Sequence, residues 1–311
     1  MKTAYLVLAH NNPGVLKKAV GRLSSERAKI FIHIDRKSRL ADFSGVQAHN
    51  VSFLKNRVPV YWAEFSGVEA TLRLMRAALQ DNFKAEYLFL ISGTDYPLRS
   101  SAYIENLLER NRGAEFISLV KVPSPGKPLS RINTVRFPSH KPVRRFAARA
   151  LAKLGMARRD YRKHLVGLDA YAGNTWWALS RESCHYILDF VEQNPKFVAY
   201  FESVFAPDEA FFHTILGNSP FKPRVRRNLL YEDWSTQGAH PVPMAEQHVT
   251  FFASRDAVRI GDVYGEGEAV FARKFADSRL ELLDKIDQMI ETKESSLPEP
   301  RTTQPVLGRA R

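Results

Sequence analysis

Hydrophobic and polar positions along the first hundred residues alternate between two kinds of pattern. Tyr5-Leu6-Val7-Leu8 is an unbroken apolar run, as expected of a strand buried on both faces. Asn12 and Pro13 follow as an N-cap and a first-turn proline, and Leu16, Val20 and Leu23 keep helical spacing. Ile30 to Ile34 reads as a second strand, ending in Asp35-Arg36-Lys37. Phe65, Val68, Leu72, Met75 and Leu79 form an amphipathic helix stripe. Tyr87 to Ile91 is another buried strand, closed by the turn from Ser92 to Pro97. Strands alternating with helices predict an α/β fold with a mostly parallel sheet, whose ligands sit at the carboxyl ends of strands.

Beyond Lys121 the pattern lapses and resumes near Ala172. A strand is expected over Asn174 to Leu179, helices over Arg181 to Val191 and Pro207 to Leu216, and an amphipathic helix over Ser278 to Ile290. From Thr292 the polar, proline-containing tail reads as disordered. The expected organisation is a single domain over 1–291, with a basic insertion or loop over 121–165, and a disordered tail over 292–311.

Charge changes this picture in one place. The chain of 311 residues carries a net charge of +13, with an ordinary 44% of apolar residues. Between Lys121 and Lys163 lie thirteen Lys and Arg against one acid, Asp160, so nearly the whole excess sits there. Val143 to Met156 in this stretch reads as a basic amphipathic helix suited to anionic lipid headgroups, or else as part of a solvated loop. A nucleic-acid-binding protein is the alternative that the charge raises. No recognised nucleic-acid motif accompanies it, so no nucleic-acid partner is expected.

Phe205-Ala206-Pro207-Asp208-Glu209-Ala210-Phe211-Phe212 holds the most informative candidate chemistry. Two carboxylates at a helix start favour the helix dipole, so capping is one reading. Aromatic neighbours would desolvate Glu209 and raise its pKa, which suits a general base, and that is the other. Phe271-Ala272-Arg273-Lys274-Phe275 sets two adjacent cations among apolar residues, as a cleft-facing pyrophosphate site or as surface charge before the last helix. Asp35 and Asp95 stand at strand ends, where an Asp holds a ligand hydroxyl or merely forms a turn. His10 and His33, also at strand ends, read as structural histidines. The chain has no Asp-x-Asp, no paired metal-ligand histidine spacing, no Walker glycine loop and no Gly-x-Gly-x-x-Gly.

Together these stretches resemble the core-2/I-branching N-acetylglucosaminyltransferase and peptide O-xylosyltransferase family. The resemblance runs in order through AYLVLAHNNP, IFIHIDRKS, YWAEFSGVEATL, YLFLISGTDYPLRS, GNTWWALSRE, FAPDEAFFHTILGNSPF and FARKF. It implies a GT-A-like fold, an inverting transfer of GlcNAc or xylose from a UDP-sugar to an acceptor hydroxyl, a β-linked product and no required metal. It implies Glu209 as the base that takes the acceptor proton, and Arg273 and Lys274 as the cations that meet the departing diphosphate. It further implies Asp35, Arg36 and Lys37 on the nucleotide, and His10, Trp62 and Asp95 near the nucleotide-sugar. Gly173, Asn174, Trp176, Asp208 and Trp234 are expected on the acceptor side.

Animal members carry a membrane anchor and several disulfides. One cysteine, Cys184, and no apolar stretch of membrane-spanning length instead suit the cytoplasm, at the inner face of the cell membrane. The acceptor expected there is a glycan or a lipid-linked glycan, with peripheral membrane contact through 121–163. A sugar-nucleotide-binding module without catalysis is the remaining alternative.

Overall fold

The computed structural model describes residues 1–136, 158–165, 167–236, 238 and 240–295. Seven strands form the main sheet: β1 (Thr3–Ala9), β2 (Ala28–Ile34), β3 (Val51–Phe53), β4 (Tyr87–Ser92), β6 (Glu115–Ile117), β9 (Trp177–Ser180) and β10 (Val225–Arg226). Their spatial order is β10-β6-β9-β4-β1-β2-β3. Strand β9 runs antiparallel to both of its neighbours, and the other pairings are parallel. The α/β class with a mostly parallel sheet is as the sequence predicts.

Successive side chains of a strand point to opposite faces, and β1 shows what that does for an unbroken apolar run. Ala4 and Leu6 pack with Val68, Leu72, Met75 and Leu79 of helix α2 (Ser66–Gln80) on one face. Tyr5 and Val7 pack on the other with Leu16, Val20 and Leu23 of helix α1 (Pro13–Leu23) and with Ile104, Leu107 and Leu108 of helix α3 (Ser101–Arg110). Two apolar layers therefore sandwich one sheet. Each buried Val, Leu, Ile or Met side chain among these contributes roughly 1.5–3 kcal/mol of transfer free energy. Among the described residues no helix is long and apolar enough to cross a membrane.

A smaller sheet sits beside the first, in the order β11 (Leu230–Glu232), β14 (Phe271–Arg273), β5 (Tyr96–Pro97). Two antiparallel pairs complete the described strands: β7 (Val120–Lys121) with the distant β8 (Tyr171–Ala172), and the hairpin β12 (Arg259–Asp262) with β13 (Gly265–Glu268).

Several local expectations are corrected. Pro13 does open α1, but Asn12 is left-handed (φ 54°) and its side chain makes no cap. The first-turn N–H groups of Gly14 and Val15 donate instead to the Asp277 carboxylate, at 3.1 and 2.8 Å. Asn12 Oδ1 accepts from the Asp277 N–H at 2.9 Å, so the cap is reciprocal and comes from the far end of the chain. Asp277→Ala is expected to lower stability by about 1–2 kcal/mol, the usual worth of an N-cap, as read by urea unfolding.

The run from Pro207 to Leu216 is broken, into a 3-10 turn at Pro207–Glu209 and a helix at Phe211–Gly217. Ala210 between them has φ −139°, outside the helical range, so Asp208 and Glu209 do not start an α-helix. The expected strand over Asn174 to Leu179 is confined to β9, leaving Asn174 to Trp176 as the loop before it. The last helix begins at Glu281, after a 3-10 turn at Asp277–Arg279, and runs to Ser295, past the tail boundary expected at Thr292. The expected helix at Val143 to Met156 lies outside the described residues, as does most of the tail, 296–311.

Candidate functional site

Sheet direction decides where the polar residues gather. The parallel strands deliver His10, Asp35, Ser92 and Ser118 at or just beyond their carboxyl ends. Because β9 runs the other way, the segment before it, Gly173 to Trp176, arrives on the same side. These residues line one cleft of about 1090 Å3, which also takes in Lys37, Trp62, Lys127, Glu209, Glu232, Arg273 and Lys274.

Glu209 reaches the cleft on the 3-10 turn, whose geometry is held from both directions. The Ala206 N–H donates to Ala63 O at 3.0 Å, and the Gly173 N–H donates to Glu209 O at 2.9 Å. Gly173 fits only as glycine, since a Cβ there would stand 1.7 Å from Ser118 O and 2.7 Å from His213 Cδ2. His213 is fully buried, and its Nε2 donates to Asn174 O at 2.9 Å. Burial foremost pushes this imidazole down to about 3, so the ring is neutral and acts as a fixed prop under the loop.

The surroundings of Glu209 differ from the aromatic setting expected. Phe211 and Phe212 turn into the core. The carboxylate oxygen Oε2 is instead ion-paired with both Lys127 and Arg131. Oε1 makes no hydrogen bond among the described residues, and the side chain stays partly open to the cleft. Lys127 and Arg131 belong to the described start of the basic stretch after Lys121. Sequence reasoning missed both as site residues: Lys127 lies in a turn and Arg131 on a four-residue helix at Ser130–Asn133, so no periodicity marks them.

Asp208 beside Glu209 accepts from the Thr175 hydroxyl through Oδ2 at 3.1 Å, while its Oδ1 is sealed without a partner. Burial foremost, and then the Glu209 charge, push this carboxyl up to about 6.

The second group of cations stands at the end of the small sheet. Arg273 closes β14, in register with Glu232 at the end of β11. Ala272 pairs antiparallel with Tyr96, which sets Asp95 beside Arg273. The guanidinium lies 4.3 Å from the centre of the Trp176 ring, 3.6 Å from Asp95 Oδ1 and 3.8 Å from Glu232 Oε1. Glu232 also accepts from the Asn174 amide and, at 3.4 Å, from Trp234 Nε1. Lys274 lines the cleft next to it, and its ammonium has no ion pair or hydrogen bond among the described residues.

His10 lies in the same region. Enclosure foremost pushes its imidazole below the ordinary value; Asp35 opposes that shift, and Lys274, Lys37 and Arg273 add to it. Three cations thus surround one wall of the cleft.

Of the residues expected near a nucleotide, Asp35 and Lys37 line the cleft and Arg36 does not, being exposed beside it. The Asp35 carboxylate already accepts from the N–H groups of Lys37 (2.8 Å) and Val60 (3.3 Å) and pairs with the Lys37 ammonium at 3.0 Å. Asp95 does not line the cleft: it is buried behind Arg273, with Oδ2 accepting from the Ser92 N–H at 2.8 Å. Trp62 and Trp234 stand on the rim, 66% and 52% exposed, a degree of exposure that leaves aromatic faces free for a ligand. Trp62 rests edge-on against Phe205 and His240. His33 is structural as expected, its Nε2 accepting from the Val58 N–H at 2.9 Å.

Residues that sequence reasoning did not single out complete the walls. Arg227 is anchored on Asp262 at 2.7 Å, and Tyr264, at the tip of the β12–β13 hairpin, faces the cleft. Among the described residues no group of three or more His, Cys, Asp or Glu could hold a metal ion.

Comparison with known proteins bears on this arrangement. The chain is 26% identical over 305 residues to Xylosyltransferase 2 of Canis lupus familiaris, covering 92% of this chain and 33% of that protein. It is 26% identical over 215 residues to Xylosyltransferase 1 of Mus musculus, covering 66% of this chain and 21% of the other. The chain thus spans about a third or less of the length of these curated relatives. Among solved structures, 4-diphosphocytidyl-2C-methyl-D-erythritol synthase matches with a TM-score of 0.33 and 14% identity, over 65% of this chain and 87% of that one. The family model described as "Core-2/I-Branching enzyme" matches residues 3–252, which include the main sheet, Glu209 and the segments that carry Asp35, Asp95 and Glu232. On that match the chain belongs to the Core-2/I-Branching enzyme family, a family of glycosyltransferases.

Proposed function

We propose that the chain is an inverting, metal-independent glycosyltransferase with a GT-A-like fold, moving GlcNAc or xylose from a UDP-sugar to a glycan hydroxyl. The observation that carries this reading is one cleft holding both Glu209, whose Oε1 has no hydrogen bond among the described residues, and an adjacent pair of cations, Arg273 and Lys274.

In the proposed step the acceptor hydroxyl gives its proton to Glu209 Oε1 while its oxygen attacks the anomeric carbon. The bond from that carbon to the diphosphate oxygen breaks, and the electron pair leaves with UDP. Attack from the face opposite UDP inverts the anomeric centre, so an α-linked donor yields a β-linked product. Negative charge grows on the leaving oxygen, and fixed cations are worth most where charge develops. Arg273 supplies a planar fork, already stacked and oriented; Lys274 supplies an ammonium with no competing partner among the described residues. This is the charge that a divalent ion would otherwise meet.

Lys127 and Arg131 hold Oε2, which leaves Oε1 as the proton acceptor. Trp62 and Trp234 on the rim offer flat faces to sugar rings, Trp234 on the acceptor side with Asn174, Trp176 and Asp208. The His10, Asp35 and Lys37 wall takes the nucleotide.

A panel of UDP-sugars, with mass spectrometry of released UDP and of glycan products, tests the reading. UDP release from at least one donor, unchanged by EDTA, is the expected result. No turnover of any UDP-sugar would remove the reading, and loss of activity in EDTA would remove its metal-free form.

A further inference from the structure

Asp95 is expected near the nucleotide-sugar, yet it does not line the cleft. Its carboxylate is fully buried, one oxygen is spent on the Ser92 N–H at 2.8 Å, and the other has no hydrogen bond. That second oxygen, Oδ1, stands 3.6 Å from Arg273 Nη1. Arg273 shows the matching pattern: Nε and Nη1 are sealed without hydrogen-bond partners, with Glu232 Oε1 at 3.8 Å from Nε. The Trp176 ring covers one face of the guanidinium at 4.3 Å. Two edges of the fork are thus turned inward to carboxylates and one face is stacked, while the residue as a whole lines the cleft.

We infer that Asp95 is a positioning residue, which with Glu232 aims the Arg273 fork so that its remaining edge meets the leaving diphosphate. This rests on the donor-side role proposed for Arg273.

A buried carboxylate next to a cation attracts it but also subtracts from the positive field that an anionic ligand would feel. The consequence separates orientation from binding. Neutralising Asp95 strengthens the attraction of the site for diphosphate while releasing the fork from its aim, so ground-state binding and transition-state stabilisation move in opposite directions.

Titration supports the same picture. Burial foremost pushes the Asp95 carboxyl up to about 6, opposed by Arg273 and by the Ser92 N–H, and assisted by Glu232. The charged or titratable groups facing it are Arg273 from β14 and Glu232 from β11, and its own turn contributes only the Ser92 N–H. Acidification through about pH 6 therefore removes the counter-charge and should mimic its replacement by Asn.

The test compares wild type with Asp95→Asn, an isosteric change, in three measurements: UDP affinity by calorimetry, kcat with saturating donor and acceptor, and kcat against pH. The expected result is a kcat reduced about tenfold or more, with UDP affinity and donor KM unchanged or improved. The fall in kcat of the wild type around pH 6 should be shallower in the variant, which keeps only the contribution of Asp208 beside the base. A raised donor KM with unchanged kcat would overturn the inference in favour of a substrate contact. An unchanged kcat and an unchanged pH profile would overturn it outright. Should Asp95→Asn fail to fold, Glu232→Gln, which removes the other carboxylate of the clamp, must show the same split between kcat and UDP affinity. Wild-type protein that does not bind UDP would instead defeat the donor-side reading on which the inference rests.

Discussion

Glu209→Gln is expected to reduce glycosyl transfer by roughly 10^2–10^4-fold, the range for loss of a positioned general base. The amide keeps the shape of the carboxylate but cannot take the acceptor proton. It also loses the charge that pairs with Lys127 and Arg131, so both cations are left facing the cleft. UDP affinity should stay within a few-fold of wild type, because the diphosphate meets Arg273 and Lys274 instead. Turnover of the variant at the wild-type rate, measured with saturating donor and acceptor, would remove Glu209 from the reaction. Equal loss of transfer and of UDP binding would assign it to donor binding.

Arg273→Ala is expected to cost roughly 10^2–10^3-fold in kcat/KM for the donor, the usual effect of deleting a preorganised group that stabilises developing charge. Part of the loss should appear in KM, since the ground-state diphosphate is charged as well. The conservative variant Arg273→Lys should recover little. An ammonium keeps the charge but has neither the planar fork to stack on Trp176 nor the breadth to address Asp95 and Glu232 together. Recovery by Lys to within a few-fold would mean that only net charge matters at this position, and would also weaken the case for a carboxylate clamp.

These two expectations rest on residues that were visible in the sequence, but on contacts that were not. Glu209 and the Arg273-Lys274 pair stood out as charges in apolar company, and the structure places all three in one cleft. Neither local reading of Glu209 holds. Capping fails because the α-helix starts only at Phe211, and aromatic enclosure fails because Phe211 and Phe212 face the core. Local spacing assigns a carboxylate to a helix start but cannot see a left-handed Ala206 or a non-helical Ala210 interrupting it.

Asp95 and Arg36 show the same limit from the other side. Both sit at the carboxyl ends of parallel strands, where ligands of such sheets bind. Yet Arg36 turns outward and Asp95 turns under Arg273, because a turn of a few residues can send adjacent side chains to opposite sides. The N-cap of α1 is a further case: Asn12 has the right residue type in the right place, and Asp277 takes the role from 262 to 263 positions away.

What the sequence by itself determined is the layering. Apolar runs and helical stripes are local and periodic, and burial of those periods leaves little choice beyond a mostly parallel sheet between two helical layers. The order of its family blocks likewise marked the site segments before any contact was known. What only the tertiary structure decided is the pairing of charges within the cleft: Lys127 and Arg131 on Glu209, Asp95 and Glu232 on Arg273. Those partners lie 78 or more residues apart for Glu209, and no periodicity links them. The antiparallel course of β9 and the register of β14 between β11 and β5 bring them within reach, and that is a property of the assembled sheets.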